Sequence, residues 1–334
     1  MTLTHRLFKL GLLIIMNTIP SISSQIDEKI IFKVIDKHFS RLAPHYYKWI
    51  NTWMIGAYEN YADIDKYIIL IYIINKDFIF FRRNGLIVDY DSFYKDKSLE
   101  VDKINISDIS KDLQIPKESV RRKVEELEKA DVIQKKGKKI FITRTAFTTT
   151  QANLTLKNMT TLLYEFNKVL EEEKIVKIAY QSIEIADSIK KNFSFVWYQF
   201  YKFLFIFTNR WRKELGDLET FTIGVIVLVN AAENKTFRIK EFDRKKYQIS
   251  IQGSDERGVN AMSLAEITGI PRTTVIRKLK ILIKKDLLQI NEKNLITINM
   301  KGEGFKTAQK LQDKNMLSLS NFISRAFNQL KIIN

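Results

Sequence analysis

The chain has 334 residues, 45% hydrophobic and 28% charged, a balance that suits a folded globular protein rather than a disordered or membrane-embedded one. Its formal charge of +17 and pI near 9.6 favour a polyanionic partner, nucleic acid before an anionic membrane surface, although lysine is abundant along the whole chain. Cysteine is absent, which excludes disulfides, thiolate metal sites and thiol redox chemistry, and the three histidines, His5, His38 and His45, include no pair at metal-ligand spacing.

Residues 1–24 carry basic His5, Arg6 and Lys9, an apolar stretch over 10–16, and Ser21, Ile22 and Ser23, in outline a weak signal peptide. Asn17, Thr18 and Pro20 interrupt the apolar run and Met16 is an alternative start, so 1–25 is read as a leader and the protein as cytoplasmic. No run reaches the roughly 18 apolar residues of a membrane span; 193–207 and 221–232 read as buried helices. Pro44 is expected to open a helix in which Tyr47, Ile50, Trp53 and Met54 lie near one face. Residues 63–75 are apolar nearly all round, a central helix or a buried strand, with Asp63 and Asp65 placed as charges at its N-terminus. The apolar runs 78–81 and 86–88 flank Arg82-Arg83-Asn84-Gly85, which predicts a β-hairpin, and 89–103 reads as an exposed polar linker.

Residues 106–143 then read as helix, turn, second helix and short basic hairpin. Ser107 is the expected N-cap of the first helix, and Pro116 stands at the start of the second, where its missing N–H costs nothing. Val120, Val124 and Leu127 recur at helical spacing and form a buried face, opposite Lys117, Ser119 and Arg122. A long helix over 154–189 is expected next, with Leu156, Leu162, Leu163, Phe166 and Leu170 as its apolar stripe and Glu171, Glu172 and Glu173 as a solvated patch.

The second half repeats the first. Tyr47-Lys48 recurs 154 residues on as Tyr201-Lys202, Trp53 falls on Phe207, Asp63-Ile64-Asp65 on Asp217-Leu218-Glu219, Tyr67 on Phe221 and Ile69 on Ile223. At a shift of 155, Ile115-Pro116 meets Ile270-Pro271, Val120 meets Val275, Arg122-Lys123 meets Arg277-Lys278, Val124 meets Leu279 and Leu127 meets Leu282. Asp131-Val132-Ile133-Gln134 then meets Asp286-Leu287-Leu288-Gln289. In the second copy Ser263 and Glu266 form the expected capping box, Gly269 supplies the turn, Asn291-Glu292-Lys293-Asn294 tips a less basic hairpin, and a final helix covers about 305–330.

Gly269-Ile270-Pro271, Thr274-Val275, Arg277, Leu282 and Leu287-Leu288 form a pattern that resembles the reading head of winged helix-turn-helix transcription regulators, the MarR-like and related bacterial families. The first copy carries it as Gln114-Ile115-Pro116, Ser119-Val120, Arg122, Leu127 and Val132-Ile133, so the likeness covers about 40 residues per copy. Asp131 and Asp286 stand where a glycine is usual before the wing, a place where Asp tolerates the left-handed conformation. Hairpin-like segments ahead of each head, 78–89 and 237–251, depart from the pattern, as does the presence of two copies in one chain.

The expected fold is mainly α with small β-hairpins: two tandem winged helix-turn-helix modules packed through their flanking helices. The first module spans 26–165 (helix-turn-helix 107–130, wing 132–143), a connecting helix 166–190, and the second module 191–334 (helix-turn-helix 263–285, wing 287–298). The resemblance implies a sequence-specific regulator of double-stranded DNA whose second helices enter the major groove. The candidate DNA-binding residues are Lys117, Glu118, Ser119, Arg121 and Arg122 in copy one and Arg272, Thr273, Thr274, Arg277 and Lys278 in copy two, with Lys135, Lys136, Lys138 and Lys139 in the first wing. The two copies are expected to form an intramolecular pseudo-dimer, as a monomer or a further homodimer, that reads an asymmetric site. An unidentified small-molecule effector enters by family analogy, and no membrane partner or cofactor is expected. A plasmid-type replication initiator with two winged helices and a protein-interaction module are the rival readings. An enzyme is not expected, since no Gly-rich phosphate loop, paired nucleophile and base, or metal-ligand set is present.

Overall fold

The computed structural model describes residues 25–95, 98–102, 105–137, 139–149, 152–177, 179–232, 241–252 and 258–333. Of the expected leader only Gln25 falls among them, and Lys138 lies outside. The first half runs α1 (Glu28–Lys37), α2 (Phe39–Tyr61), α3 (Ile64–Arg83), α4 (Tyr90–Lys95), β1 (Leu99–Asp102), α5 (Ile106–Leu113), α6 (Lys117–Lys129), β2 (Ile133–Lys136), β3 (Lys139–Ile142), α7 (Arg144–Thr149) and α8 (Ala152–Glu172). The second runs α9 (Ser182–Lys191), α10 (Phe193–Leu215), α11 (Leu218–Ala232), α12 (Arg244–Gln252), α13 (Ala261–Thr268), α14 (Arg272–Lys284), β4 (Leu288–Ile290), β5 (Ile296–Ile298) and α15 (Glu303–Ile333). The chain is mainly helical with small antiparallel sheets.

The repeat is legible in the backbone itself. Left-handed or positive-φ residues recur at matched places: Ala62 with Gly216 before α3 and α11, Gln114 with Gly269 in the helix–helix turns, and Asp131 with Asp286 before the hairpins. The last pair, at φ 54° and 60°, adopts the conformation expected of an aspartate in a glycine's place.

What the repeat does not announce is that the halves exchange partners. α1 packs on α15 and α9 on α8, so each half's first helix lies against the other half's last. α3 packs on α10 and α11 on α2 in the same crossed manner. The core is therefore shared. Trp49 of α2 lies among Phe200 and Phe203 of α10 and Phe322 of α15, with ring centroids 4.9, 5.7 and 5.5 Å away. Side chains of this size carry much of the apolar burial, so neither half encloses a complete core by itself.

Several sequence expectations are corrected. Residues 78–81 belong to α3, which resolves the choice over 63–75 in favour of a helix. The Asn84-Gly85 pair caps this helix instead of turning a hairpin: Asn84 closes it and Gly85 takes φ 67°, so the chain turns off without a strand on either side. In the second copy the segment expected as a hairpin holds α12, with 237–240 outside the described residues. The region expected as an exposed linker contributes α4, whose Phe93 is buried, and β1, which pairs with β3 (Leu99 opposite Ile142) as a third strand. The long helix expected over 154–189 breaks after Glu172, where Lys174 adopts φ 56°, and restarts at Ser182 behind a Gln181/Glu184 capping box. Pro44 sits inside α2, which already begins at Phe39. α5 opens at Ile106 behind Asn105 instead of at Ser107, and α13 opens behind Asn260, whose side chain accepts from the Ser263 N–H at 2.9 Å. Glu172 and Glu173 are engaged rather than merely solvated: Glu172 accepts from Arg41 at 2.6 Å, and Glu173 from Lys37 at 2.7 Å.

Among the described residues no single helix is long and apolar enough to cross a membrane. α10 and α11 pass such a test only as a pair, and they meet at 93°. Their large apolar side chains, Phe200, Phe207 and Ile223 among them, are buried in the shared core.

Candidate nucleic-acid interface

Each half presents a head, two helices joined by a turn and followed by a β-hairpin. In the first, α5 and α6 pack on each other and on α3; in the second, α13 and α14 pack on each other and on α11. Val120, Val124 and Leu127 of α6 are buried, as are Val275, Leu279 and Leu282 of α14, which fixes the faces that both helices turn inward.

Both heads hang from the same end of the bundle. Asp63 is the N-cap of α3, its carboxylate accepting from the Lys66 N–H at 3.0 Å and also from the Lys123 ammonium of α6. Asp217 does the same work at α11, accepting from the Thr220 N–H and hydroxyl at 2.8 and 2.7 Å and from the Lys278 ammonium of α14. Burial works to raise the Asp217 pKa, but Lys278 and Thr220 together hold it below the usual carboxylate range. The starts of α3 and α11 meet: the Ile64 N–H donates to Glu219 at 3.2 Å.

Lys123 and Lys278 are thus matched structural ions, each with 9% of its side chain exposed. Lys278 is accordingly corrected from a DNA contact to a residue that holds its helix to the bundle. The repeat matches lysine to lysine and aspartate to aspartate, but about 60 residues separate each lysine from its own aspartate, so sequence spacing alone does not join them.

At the meeting point the halves differ. Arg212 of α10 donates to Asp65 at 2.6 and 3.0 Å and to the Leu113 carbonyl at 2.8 Å, pinning the end of α5. Asn209 adds a bond to the Asp112 carbonyl at 2.9 Å. In the related position Tyr58 stands for Arg212 and Glu219 for Asp65. Glu219 therefore faces no guanidinium there, and burial, aided by Asp217 and Asp65, pushes its pKa up.

The remaining candidates among the described residues are all at least partly open to solvent. Lys117, Glu118, Arg121 and Arg122 are exposed on α6 and Ser119 is half-buried; Arg272, Thr273 and Arg277 are exposed on α14 and Thr274 is half-buried. Their engagement differs. Arg121 pairs with Glu118, and Arg122 lies 3.8 Å from Glu126, which also holds Lys66 at 2.7 Å. The bond from Lys66 keeps the Glu126 pKa low, so the carboxylate stays charged. In the first hairpin Lys135 pairs with Glu128 at 2.8 Å and Lys139 with Glu100, while Lys136 lies over the Phe141 ring at 5.2 Å. Arg272 and Arg277 form no ion pair with a described residue.

A cleft of about 890 Å³ opens between α2, α11, α12 and α13, lined in part by His45, Lys48, Asn51, Asn230 and Ile267. Burial lowers the His45 pKa there, so it stays neutral at physiological pH. Among the described residues no cluster of three or more His, Asp or Glu is arranged to hold a metal. Comparison of the chain with protein-family models, with curated proteins and with solved structures returns no match.

Proposed function

We propose that the protein is a sequence-specific regulator of double-stranded DNA, built as an intramolecular pseudo-dimer of two winged helix-turn-helix modules and acting in the cytoplasm. The observation that carries this reading is the pairing of two heads at one end of a bundle with exchanged helices, each presenting an exposed helix stripe and a hairpin. In such a head the second helix enters the major groove and the hairpin lies along the backbone. In this reading the exposed Arg272 and Arg277 donate to guanine O6/N7 or to phosphate, and Thr273 offers a methyl to thymine. Lys136 supplies backbone charge from the first hairpin. The excess of cations over the whole chain supports the same partner.

Because the two heads carry different side chains at matched positions, the target is an asymmetric site, its halves one or two turns of roughly 10 bp apart. The cleft beside α13 is where an effector would bias the second head. Selection of bound sites from random duplexes, repeated at two salt concentrations, tests the reading. It should recover an asymmetric motif whose affinity falls steeply with salt. A perfect palindrome bound by two chains would count against the pseudo-dimer, and salt-independent binding against DNA as the partner.

A further inference from the structure

The outward stripe of the second helix in each head can be compared position by position. On α14 it is Thr273, Arg277, Lys280 and Lys284, spaced i, i+4, i+7, i+11; on α6 the matched residues are Glu118, Arg122, Glu125 and Lys129. All eight are exposed. One stripe therefore carries three cations and no carboxylate over roughly 16 Å of helix axis. The other carries two cations and two carboxylates. Moreover, Arg122 faces Glu126 and the neighbouring Arg121 is taken up by Glu118, whereas Arg277, Lys280 and Lys284 form no ion pair with a described residue.

A helix seated in the major groove runs between two rows of phosphates, so a carboxylate on its groove face is repelled and a cation there releases counterions. The clamp from Arg212 and Asn209 also fixes the turn of the first head, while Tyr58 occupies the matched position beside the second.

Resting on the DNA-binding reading, we infer that the two heads are unequal: α14 is the surface that reads bases and supplies most of the electrostatic affinity, and the first head holds only phosphates, through its hairpin. One chain then engages a single true half-site plus a flank of unspecified sequence. Specificity resides in Arg272, Thr273 and Arg277.

The test uses the full chain, a labelled duplex of about 30 bp, three turns at ~10 bp each, and fluorescence anisotropy over a salt series. Arg277→Ala with Lys280→Ala should weaken binding about tenfold or more and make the log K against log salt slope shallower by about 1, the share of Lys280 on a phosphate, while Arg277 is lost from a base. Arg122→Ala with Lys129→Ala should change affinity less than about threefold, since those cations lie among carboxylates. A gain-of-function arm guards against misfolding: Glu118→Thr with Glu125→Lys, which gives α6 the stripe of α14, should tighten binding and steepen the slope by about 1. Equal losses from the two alanine pairs, or a graft with no effect on affinity or slope, would overturn the inequality while leaving DNA binding standing. Absence of duplex binding by the unmodified chain at low salt would overturn the underlying reading, and this inference with it.

Discussion

Replacing Asp217 by alanine removes two things at once. Its Oδ1 caps α11 through the Thr220 N–H and hydroxyl, and its Oδ2 neutralises the Lys278 ammonium, whose side chain is 9% exposed. Loss of an N-cap costs about 1 kcal/mol. Stranding one member of a buried ion pair costs roughly 3–5 kcal/mol, cap included in that range, because the remaining charge has no compensation. Asp217→Asn keeps the cap and should cost less. Lys278→Met should cost least, about 1 kcal/mol, since it retains the packed stem and leaves a carboxylate that still accepts two bonds and is 29% exposed. Equilibrium denaturation by guanidinium at neutral pH gives the order. Since the Asp217 pKa is depressed in the fold, its contribution is present above the unfolded carboxylate pKa and is lost as pH falls through the folded one. The penalty of Asp217→Asn should therefore shrink on acidification. A loss below about 1 kcal/mol for Asp217→Ala would place the pair among solvent-screened surface bridges and overturn its role as a buried anchor. So would a Lys278→Met variant that folds normally but loses as much DNA affinity as Arg277→Ala, since Lys278 would then be a contact after all.

Glu219→Gln should stabilise the protein at pH 7: a carboxyl whose pKa is raised in the fold contributes stability below its unfolded pKa and loses it as pH rises through the folded one. The gain in melting temperature should fade toward pH 4, and a gain that persists there would show the ionised form is not what is penalised. Trp49→Ala should cost roughly 3–5 kcal/mol by emptying a packed aromatic site. Because that site joins both halves, hydrogen exchange should report loosening in α10 and α15 as well as in α2, and protection lost from α2 alone would contradict a shared core. Gly304→Ala should be severely destabilising, since a Cβ there would sit 1.8 Å from the Lys285 carbonyl oxygen, a backbone atom with no room to yield. Unchanged thermal stability of that variant would mean α15 does not enter the bundle at this close approach.

Local signals carried the heads well. Val120, Val124 and Leu127 face inward as their spacing requires, and Asp131 and Asp286 take the left-handed turn. Asn84-Gly85 misled because the same dipeptide suits a helix C-cap and a two-residue hairpin; what decided was the apolar face of 78–81, where Phe78 is buried as the continuation of α3. The break at Lys174 had no glycine or proline to mark it. Lys278 lay beside Arg277 in a basic run, and only the helix's attachment to α11 shows that one points inward and the other out. The exchange of α1 and α9 between halves was out of reach for a plainer reason: periodicity shows that a face is buried but not which element covers it.

That exchange also sets a timetable. The backbone of Ile26 is tied to Asn328 by bonds of 2.8 and 3.0 Å across 302 positions. At a translation rate of about 5–20 residues per second, the helix that follows Ile26 waits roughly 15–60 s on the ribosome for its partner. Throughout that interval the face of α1 that meets α15 is uncovered, although α2 is met earlier by α3, α8 and α11, and the bundle cannot close until α15 emerges. The protein is one that must be kept from its neighbours while it is being made, and premature release should yield aggregates rather than a working half.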